Sequence, residues 1–293
     1  MSVPNTAVIF RTRPFSERCD RTRQRGDHAL LGVSTNNSYF TIQRLTELVH
    51  WAQKCFRAVD IICADLHIDT VLVAEGADAQ SAGRRARRRV RDVRRRIERA
   101  LDAALPDEPR PGFHLLSDFQ QHPVYQRLRA DIDQALREDR EFADACDDMV
   151  RGHLLGRPGA KSGTGSGSAG GGPGEAAELG RVRAGLQYLG GELPFFVDTP
   201  SILKVPSSVS CYHKFTPILG PLVRRNSGLR AAANQAFLEV TPVGTPDDPS
   251  DTDRPGNGNT DPRACGRPAG PVPQSDPITG PGIHEDNRSK KRD

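Results

Sequence analysis

The sequence predicts an α/β fold, a single Rossmann-like domain in which helices flank a parallel sheet. Two observations predict it: short apolar segments alternate with longer segments of helical periodicity, and the alternation continues through residues 21–241. Strands that alternate with helices form parallel sheets, because a parallel pair needs a long crossover connection. The 293-residue length suits one large domain with additional loosely packed segments.

Each element is predicted from its own residues. The apolar runs HALLGV, DIICA and GFHLL predict buried strands at 28–33, 60–64 and 112–116. Apolar side chains at helical spacing predict helices at 41–56, 77–105, 123–136 and 139–155. Tyr188 and Glu192 are four residues apart and fall on one face of a further helix. Pro194 is predicted to end that helix, since proline lacks the backbone N–H.

Three segments are predicted to be loose. Residues 1–20 are expected to form a flexible N-terminus, and GRPGAKSGTGSGSAGGGPG at 156–174 reads as a flexible Gly/Ser insertion. Residues 242–293 are rich in Pro, Gly, Asp and Asn and are expected to be a disordered tail. The low hydrophobic content of the chain, 36%, is then concentrated outside the folded domain.

Composition excludes several classes of protein. No apolar run approaches 18 residues and no signal-peptide core follows Met1, so we expect a cytoplasmic protein without a membrane span. Six scattered cysteines without a C-x-x-C pair predict reduced thiols and no metal site. Arginine accounts for 35 of the 41 basic residues, which suits phosphate recognition but is also what codon bias in a GC-rich genome produces.

An arginine-rich helix is the strongest electrostatic feature. Ten arginines lie between Arg84 and Arg99, while Ala86, Val90, Val93, Ile97, Ala100 and Leu101 recur on one face at about 100° per residue. The pattern predicts a helix that docks through an apolar stripe and presents a cationic surface. A polyanion such as RNA or DNA would relieve the repulsion, and the lack of aromatic residues nearby favours contact with the phosphate backbone. The alternative is a solvated arginine-rich face.

Ser34 lies at the carboxyl end of the first apolar run, where doubly wound sheets bind their ligands. The loop that follows is small and polar, which suits either a turn and helix cap or a nucleophile. Gly-x-Ser without the second glycine is a weak match to the hydrolase elbow. A serine esterase would also require a His–Asp pair.

Several segments together resemble the tRNA-dependent cyclodipeptide synthase family. They are Gly-Val-Ser (32–34), Asn-Ser-Tyr-Phe (37–40), the arginine-rich helix, Tyr-x-x-x-Glu-x-Pro-Phe-Phe (188–196) and Val-Pro-Ser-Ser-x-x-Cys-Tyr-His (205–213). The resemblance spans residues 26–240, and Asn37, Tyr212 and His213 match the family's Asn-Tyr-His subgroup. It implies a fold similar to the catalytic domain of class I tyrosyl- and tryptophanyl-tRNA synthetases.

The resemblance implies an aminoacyltransferase that converts two aminoacyl-tRNAs into a 2,5-diketopiperazine without metal or other cofactor. Ser34 would carry the aminoacyl and dipeptidyl groups as esters in a ping-pong mechanism. Tyr188 and Glu192 would hold the α-ammonium group, Tyr212 would relay a proton, and Asn37 and His213 would orient the Ser34 loop. The implied tRNA contacts are Arg84, Arg87, Arg88, Arg91, Arg95, Arg96 and Arg99.

The implied pocket for the first aminoacyl side chain is lined by Leu30, Gly32, Ile62, Ala64, Leu116, Phe195, Phe196 and Ser210. Ala64 and Ser210 are small, which predicts room for at least one bulky hydrophobic or aromatic amino acid. We expect a monomer that acts with aminoacyl-tRNAs and supplies downstream diketopiperazine-tailoring enzymes. The alternative is a non-catalytic tRNA- or RNA-binding module that needs only the arginine-rich helix.

Overall fold

The computed structural model describes residues 8–35, 37–105, 110–155 and 173–243. The strands are β1 (Phe10–Pro14), β2 (His28–Ser34), β3 (Ala58–Ala64), β4 (Gly112–Leu115), β5 (Ser208–Tyr212) and β6 (Gln235–Pro242). The helices are α1 (Glu17–Arg25), α2 (Ile42–Cys55), α3 (Ile68–Ala74), α4 (Ala79–Ala104), α5 (Pro123–Glu138), α6 (Arg140–Leu155), α7 (Pro173–Leu203) and α8 (Leu219–Arg224). A short 3₁₀ turn, Leu116–Phe119, follows β4.

The six strands form one sheet in the order β1-β6-β5-β2-β3-β4. All neighbouring pairs are parallel except β1 and β6, which are antiparallel. The predicted α/β fold with helices around a largely parallel sheet is therefore confirmed, with one antiparallel edge added. The chain moves from central β2 to β3 on one side, while β5 pairs with β2 on the other. This reversal creates a crevice at the carboxyl end of β2.

The central strands are hydrophobic because both faces of the sheet are covered. β2 and β3 contribute almost continuous buried runs to the main core, as expected for parallel strands between helices. The helix α4 docks through the predicted stripe, with Val93, Ile97 and Ala100 buried. The Asp78 side chain accepts a hydrogen bond from the Ser81 N–H and thereby caps the start of α4.

The prediction of a flexible N-terminus is wrong over residues 10–20. Phe10 to Pro14 form β1 and pair antiparallel with β6 from Pro242 back to Leu238. α1 then begins at Glu17, with the Ser16 hydroxyl accepting the Cys19 N–H. The strand is polar and short, so its identity depends on a partner more than 220 residues away, which local sequence does not reveal.

The prediction that Pro194 ends a helix is also wrong. α7 continues past Pro194 and Pro200 to Leu203, and its interruption is at Asp198, where the backbone is non-helical at φ −155° and ψ 65°. Burial of the segment on both sides of Pro194 keeps the helix continuous despite the missing N–H. The helix therefore carries Tyr188, Glu192 and Phe195 on one rigid element.

Two other expectations concern cysteines and loose segments. The described thiols of Cys19, Cys63, Cys146 and Cys211 are free and buried. Cys55 is disulfide-bonded, so the expectation of reduced thiols is wrong there, because spacing along the chain does not show which sulfurs approach in space. The predicted Gly/Ser insertion, up to residue 172, and the predicted tail, from residue 244, lie outside the described residues.

Candidate active site

Ser34 is the last residue of β2 and opens into the crevice at the carboxyl edge of the sheet. It pairs in register with Ala64 of β3. On the other side of β2, the strand β5 pairs as far as Cys211 opposite Leu31 and ends at the next residue, Tyr212. The carboxyl ends of parallel strands lie at one edge, so three strands deliver their last side chains to the same place. The predicted position of Ser34 at the end of a strand is confirmed.

Tyr188 and Glu192 lie on the face of α7 that lines the crevice next to Ser34. The Ser34 Oγ lies 3.4 Å from the Tyr188 Oη, and either hydroxyl can be the donor. One helical turn separates Tyr188 from Glu192, so both project toward Ser34. The Glu192 carboxyl group and the Tyr188 phenol are close enough to influence each other's pKa. A hydroxyl, a phenol and a carboxyl group thus lie close together at this end of the crevice.

Burial dominates the electrostatics of this set. Removal from water raises the pKa of Glu192 to about 7, against which the hydrogen bond from Tyr188 acts in part. Burial, together with the neighbouring negative charge of Glu192, raises the pKa of Tyr188 well above its usual range. At neutral pH the phenol is therefore protonated, and the carboxyl group is close to the midpoint of its titration. A carboxyl group with such a pKa can accept or donate a proton near pH 7.

Tyr212 is the last residue of β5 and packs against α7. Its ring stacks on Phe196, with ring centroids 5.3 Å apart and planes at 26°. Burial and the charge of Glu192 raise the pKa of Tyr212 well above its usual range, which keeps this phenol protonated too. Its position allows it to act as a hydrogen-bond donor toward the space between Ser34 and Glu192.

Asn37 and His213, predicted to orient the Ser34 loop, meet at Tyr39. The Asn37 side-chain oxygen accepts a 2.9 Å hydrogen bond from the Tyr39 N–H. The His213 ring stacks on the Tyr39 ring, with centroids 4.6 Å apart. Sequence reasoning did not identify Tyr39 as the link between these two residues. Asn37 and His213 also line the crevice themselves.

A largely apolar cavity of about 210 Å³ extends from Ser34 into the domain. Its lining contains all six predicted catalytic residues and all eight residues predicted for the first side-chain pocket. The structure thus places the fourteen residues around one space. Sequence reasoning did not identify further lining residues, namely Val33, Phe40, Ile68, Val71, Met149, Val150, Gly185, Leu189, Lys214 and Thr216. Six of these ten residues lie on the helices α3, α6 and α7.

Tyr125 is a further residue that sequence reasoning missed. It is buried on α5, and its hydroxyl donates a 2.8 Å hydrogen bond to the Gly191 carbonyl, next to Glu192. Gly191 itself packs against Leu66, where a side chain at residue 191 would be in tight contact. α5 and the residues after β3 thereby hold the turn of α7 that carries Glu192.

The arginine-rich helix α4 lies beside the loop that follows Ser34. Six of the seven arginines predicted to bind tRNA are exposed: Arg84, Arg87, Arg88, Arg91, Arg95 and Arg99. Arg96 differs, because it is half-buried and its Nη1 donates a 3.0 Å hydrogen bond to the Phe40 carbonyl. Exposed ion pairs of Arg88 with Asp92 and of Arg94 with Glu98 offset little of this charge.

Neither a helix suited to cross a membrane nor a group of metal-ligating side chains occurs within the described ranges. None of the helices described is both long and apolar enough to cross a membrane. In the same ranges, no group of three or more His, Cys, Asp or Glu side chains is arranged to hold a metal ion.

Comparison with known proteins identifies the family. The cyclodipeptide synthase family model matches residues 10–242. The cyclo(L-leucyl-L-phenylalanyl) synthase of Streptomyces noursei is 42% identical over 240 residues, covering 82% of this chain and 95% of the relative. The cyclo(L-tyrosyl-L-tyrosyl) synthase of Mycobacterium tuberculosis (strain CDC 1551 / Oshkosh) is 37% identical over 237 residues, covering 81% and 78%.

Solved structures agree with the sequence matches. A crystal structure of cyclo(L-leucyl-L-phenylalanyl) synthase superposes with a TM-score of 0.69 at 40% identity, over 80% of this chain and 98% of that one. A Mycobacterium tuberculosis structure, described as relating cyclodipeptide synthetases to type I tRNA synthetases, gives 0.68 at 33% identity, over 83% and 100%. With the family model matched across every described strand, this chain belongs to the cyclodipeptide synthase family.

Proposed function

We propose that this chain joins two aminoacyl groups, each delivered as an aminoacyl-tRNA, into a cyclodipeptide through esters on Ser34. One observation carries the proposal: the Ser34 hydroxyl contacts Tyr188 beside the buried Glu192 and opens into an apolar cavity. The cationic face of α4 lies next to the same loop, where it can bind the tRNA phosphates. Relatives named for leucyl, phenylalanyl and tyrosyl products support a hydrophobic or aromatic substrate.

The first step forms an aminoacyl-enzyme. The Ser34 Oγ attacks the carbonyl carbon of the aminoacyl ester, the bond from that carbon to the ribose oxygen breaks, and the tRNA leaves as the free alcohol after receiving a proton. In the carboxylate form, Glu192 binds the α-ammonium group, together with the Tyr188 hydroxyl. This pair fixes the aminoacyl group with its side chain in the cavity.

Three further acyl transfers complete the reaction. The amine of a second aminoacyl-tRNA attacks the Ser34 ester, which forms a peptide bond and releases the Ser34 oxygen. The Ser34 oxygen then attacks the ester carbonyl of the dipeptidyl-tRNA, and the second tRNA leaves as the free alcohol. The free amine of the dipeptide then attacks its own ester carbonyl, which closes the ring and restores the Ser34 hydroxyl. Each amine loses a proton and each departing oxygen gains one. Glu192 is suited to accept, and Tyr212 to donate, in these transfers.

The cavity wall favours a bulky first substrate. Ala64 and Ser210 are small members of a wall that also contains larger apolar side chains such as Leu116 and Phe195. We therefore propose that one product residue is aromatic or a large aliphatic. Mass analysis of diketopiperazines extracted from cells that express the protein tests this, and a product built from two small residues would contradict it.

Intact-protein mass spectrometry with charged tRNA tests the activity. We expect a mass increase of one aminoacyl group on the wild-type enzyme, a diketopiperazine in solution, and neither with Ser34→Ala. Ser38→Ala is a matched control, because Ser38 is an exposed serine of the same loop that does not line the cavity. Binding of tRNA without an adduct or product would indicate a binding module instead.

A further inference from the structure

The 3₁₀ turn after β4 carries part of the cavity wall, although the sheet holds this turn from one side only. Strand β4 has four residues, lies at the edge of the sheet and pairs with β3 as far as Leu115 opposite Cys63. Leu116 comes next, begins the turn, and is 2% exposed in the wall of the cavity. The position of this wall therefore depends on contacts made beyond the last paired residue.

Asp65 makes such a contact from the neighbouring strand. It follows Ala64, the last residue of β3, and it bonds to Ser117, the residue after Leu116. The Asp65 Oδ1 accepts a 3.0 Å hydrogen bond from the Ser117 N–H, and Oδ2 accepts a 2.6 Å hydrogen bond from the Ser117 hydroxyl. Hydrogen bonds to a carboxylate are shorter and stronger than those between neutral groups. The Asp65–Ser117 pair thus ties the turn to the end of β3.

The pair connects two segments of the cavity wall. Ala64 and Leu116, which precede the two members of the pair, both line the cavity. On its other side the turn contacts α7, because Phe119 packs edge-on against Phe195 with ring centroids 5.1 Å apart. The turn is therefore held between the end of β3 and the helix that carries the opposite part of the wall.

We propose that Asp65 and Ser117 are positioning residues that fix the Leu116 wall and thereby set the size of the amino acid side chain that the enzyme accepts. The inference rests on the proposed function, because that function makes the cavity the pocket for the first aminoacyl group. Neither residue lines the cavity, so both act through Leu116. A fixed wall packs closely on a large side chain, and a displaced wall loses those contacts.

Asp65 also places a negative charge near the site, and this effect has to be separated from its geometry. Burial, followed by the charges of Asp65 and Glu192, raises the pKa of the Cys63 thiol to about 12. Asparagine at residue 65 is neutral, yet its oxygen can accept the Ser117 N–H and its amide can donate to the Ser117 hydroxyl oxygen. Asp65→Asn therefore keeps the two bonds without the charge, whereas Asp65→Ala removes both.

Acylation of Ser34 in the full chain tests the proposal. An alanyl group is compared with the leucyl, phenylalanyl or tyrosyl group that the wild type transfers fastest, all on one tRNA body. We expect Asp65→Ala to lower kcat/KM for the bulky group about five- to tenfold and to leave the alanyl value within about twofold. The loss should appear in KM, while the acylation rate at saturation stays within about twofold of wild type. Intact-protein mass over time gives both constants.

Three further variants separate positioning from charge and from general loss of stability. Asp65→Asn is expected to keep the ratio of the two kcat/KM values within about twofold of wild type, because both bonds can form. Ser117→Ala loses only the hydroxyl bond and should lower the ratio about two- to threefold, which also serves if Asp65→Ala does not fold. Asp69→Ala is the matched control, because Asp69 is an exposed aspartate whose carboxyl group accepts from the Thr70 N–H within α3. We expect it to leave the ratio unchanged.

A double-mutant cycle shows whether the pair acts through the wall. In a Leu116→Ala background the wall side chain is absent, so Asp65→Ala is expected to change the ratio no further. Additive effects in this cycle, a wild-type ratio in Asp65→Ala, or an Asp65→Asn enzyme that behaves like Asp65→Ala would overturn the proposal. Failure of the proposed function is distinguishable, because the wild-type enzyme would then form no acyl-enzyme from any of these tRNAs.

Discussion

The Glu192 carboxyl group is buried in a largely apolar site, and its charge therefore changes with pH in the neutral range. Its pKa of about 7, against an unperturbed value near 4.3, follows from burial. In the folded enzyme the carboxyl group therefore stays protonated up to a pH at which an exposed glutamate has long been ionised. The rate of any step in which the Glu192 carboxylate binds an ammonium group therefore follows the ionisation of Glu192.

We predict that kcat/KM for the first acylation rises with pH through about 7, because the free enzyme must ionise Glu192 before it binds the α-ammonium group. Glu192→Gln should lower the rate at least about tenfold and remove this limb from the profile. The pH profile of Ser34 acylation measures both. A wild-type profile that is flat between pH 5.5 and 8.5 would contradict the assignment.

The same shift makes a prediction about stability. Because the folded-state pKa exceeds the unfolded one, the folded chain binds more protons between about pH 4.3 and 7. The contribution of Glu192 to the free energy of unfolding is therefore greatest below that window and is lost as the pH rises to about 7. Denaturant titrations of wild type and Glu192→Gln should differ in their pH dependence within this window, with the glutamine variant less sensitive.

At the scale of elements, the opposite end of the sheet contains a polar network that ties four strands together. Asp60 of β3 accepts from both His28 of β2, at 3.1 Å, and His114 of β4, at 3.3 Å. His28 reaches Ser208 of β5 at 2.8 Å through its other ring nitrogen. A side chain at Gly112 would overlap the Asp60 carboxyl group, so the network also requires glycine there.

Asp60→Asn is predicted to lower the free energy of unfolding by about 2 kcal/mol, because hydrogen bonds to a charged group are lost from a buried network. Bonds from His114 and His28 hold the pKa of Asp60 below its usual range, so its contribution is present above about pH 4 and is lost on acidification. The bond to Asp60 raises the pKa of His114, so that contribution is lost as pH rises beyond about 6.5. Denaturant unfolding between pH 3 and 8 should show the wild-type advantage over Asp60→Asn largest between these limits.

The contact between α5 and α7 gives a second prediction about elements. Tyr125→Phe removes the 2.8 Å bond to the Gly191 carbonyl, and we expect about 1 kcal/mol of lost stability. Slower acylation of Ser34 should accompany it, because the turn that carries Glu192 loses its support. Phe119→Leu is a useful comparison, since Phe119 packs on Phe195 without a polar contact to that turn. A Tyr125→Phe enzyme with unchanged acylation kinetics would show that packing alone positions Glu192.

At the scale of the molecule, the charge is asymmetric. The formal net charge is only +4, yet ten arginines are concentrated on α4 beside the mouth of the cavity. Acidic residues elsewhere balance the total without neutralising this surface. The field at the site is therefore much more positive than the net charge suggests, which favours the approach of a polyanion.

We predict that replacing Arg91 and Arg95 with alanine weakens tRNA binding and reduces the salt dependence of the affinity, because both substitutions remove phosphate contacts. Each lost phosphate contact should lower the slope of log affinity against log salt by about 0.7–0.9. Arg21→Ala is the matched control, because Arg21 is exposed on α1 and pairs with Glu17. An unchanged slope in the double variant would place the tRNA elsewhere.

Arg96→Ala should instead destabilise the loop after Ser34, because the Arg96 side chain donates a hydrogen bond to the Phe40 carbonyl.

Local sequence was sufficient for the elements whose residues repeat at a regular spacing. The buried runs at 28–33 and 60–64 correspond to β2 and β3, and the stripe through Val93 and Ile97 docks α4 as predicted. Motif order sufficed for the family, and it grouped Ser34 with Tyr188 and Glu192. These features are encoded by neighbouring residues, so they can be read one segment at a time.

Tertiary structure alone decided the features that depend on distant partners. Strand β1 exists because β6 pairs with it, α7 passes Pro194 because both sides are buried, and Cys55 has a sulfur partner that spacing did not indicate. The hydrogen bond from Gln235 to Ser210 joins residues 25 apart, and its direction depends on backbone groups of two elements. The sequence by itself thus determined the fold class, the family and the chemical groups of the site. Only the packed structure determined the burial of Glu192 and the stacking of Tyr212 on Phe196, because desolvation and ring contacts arise from neighbours that are close in space and distant along the chain.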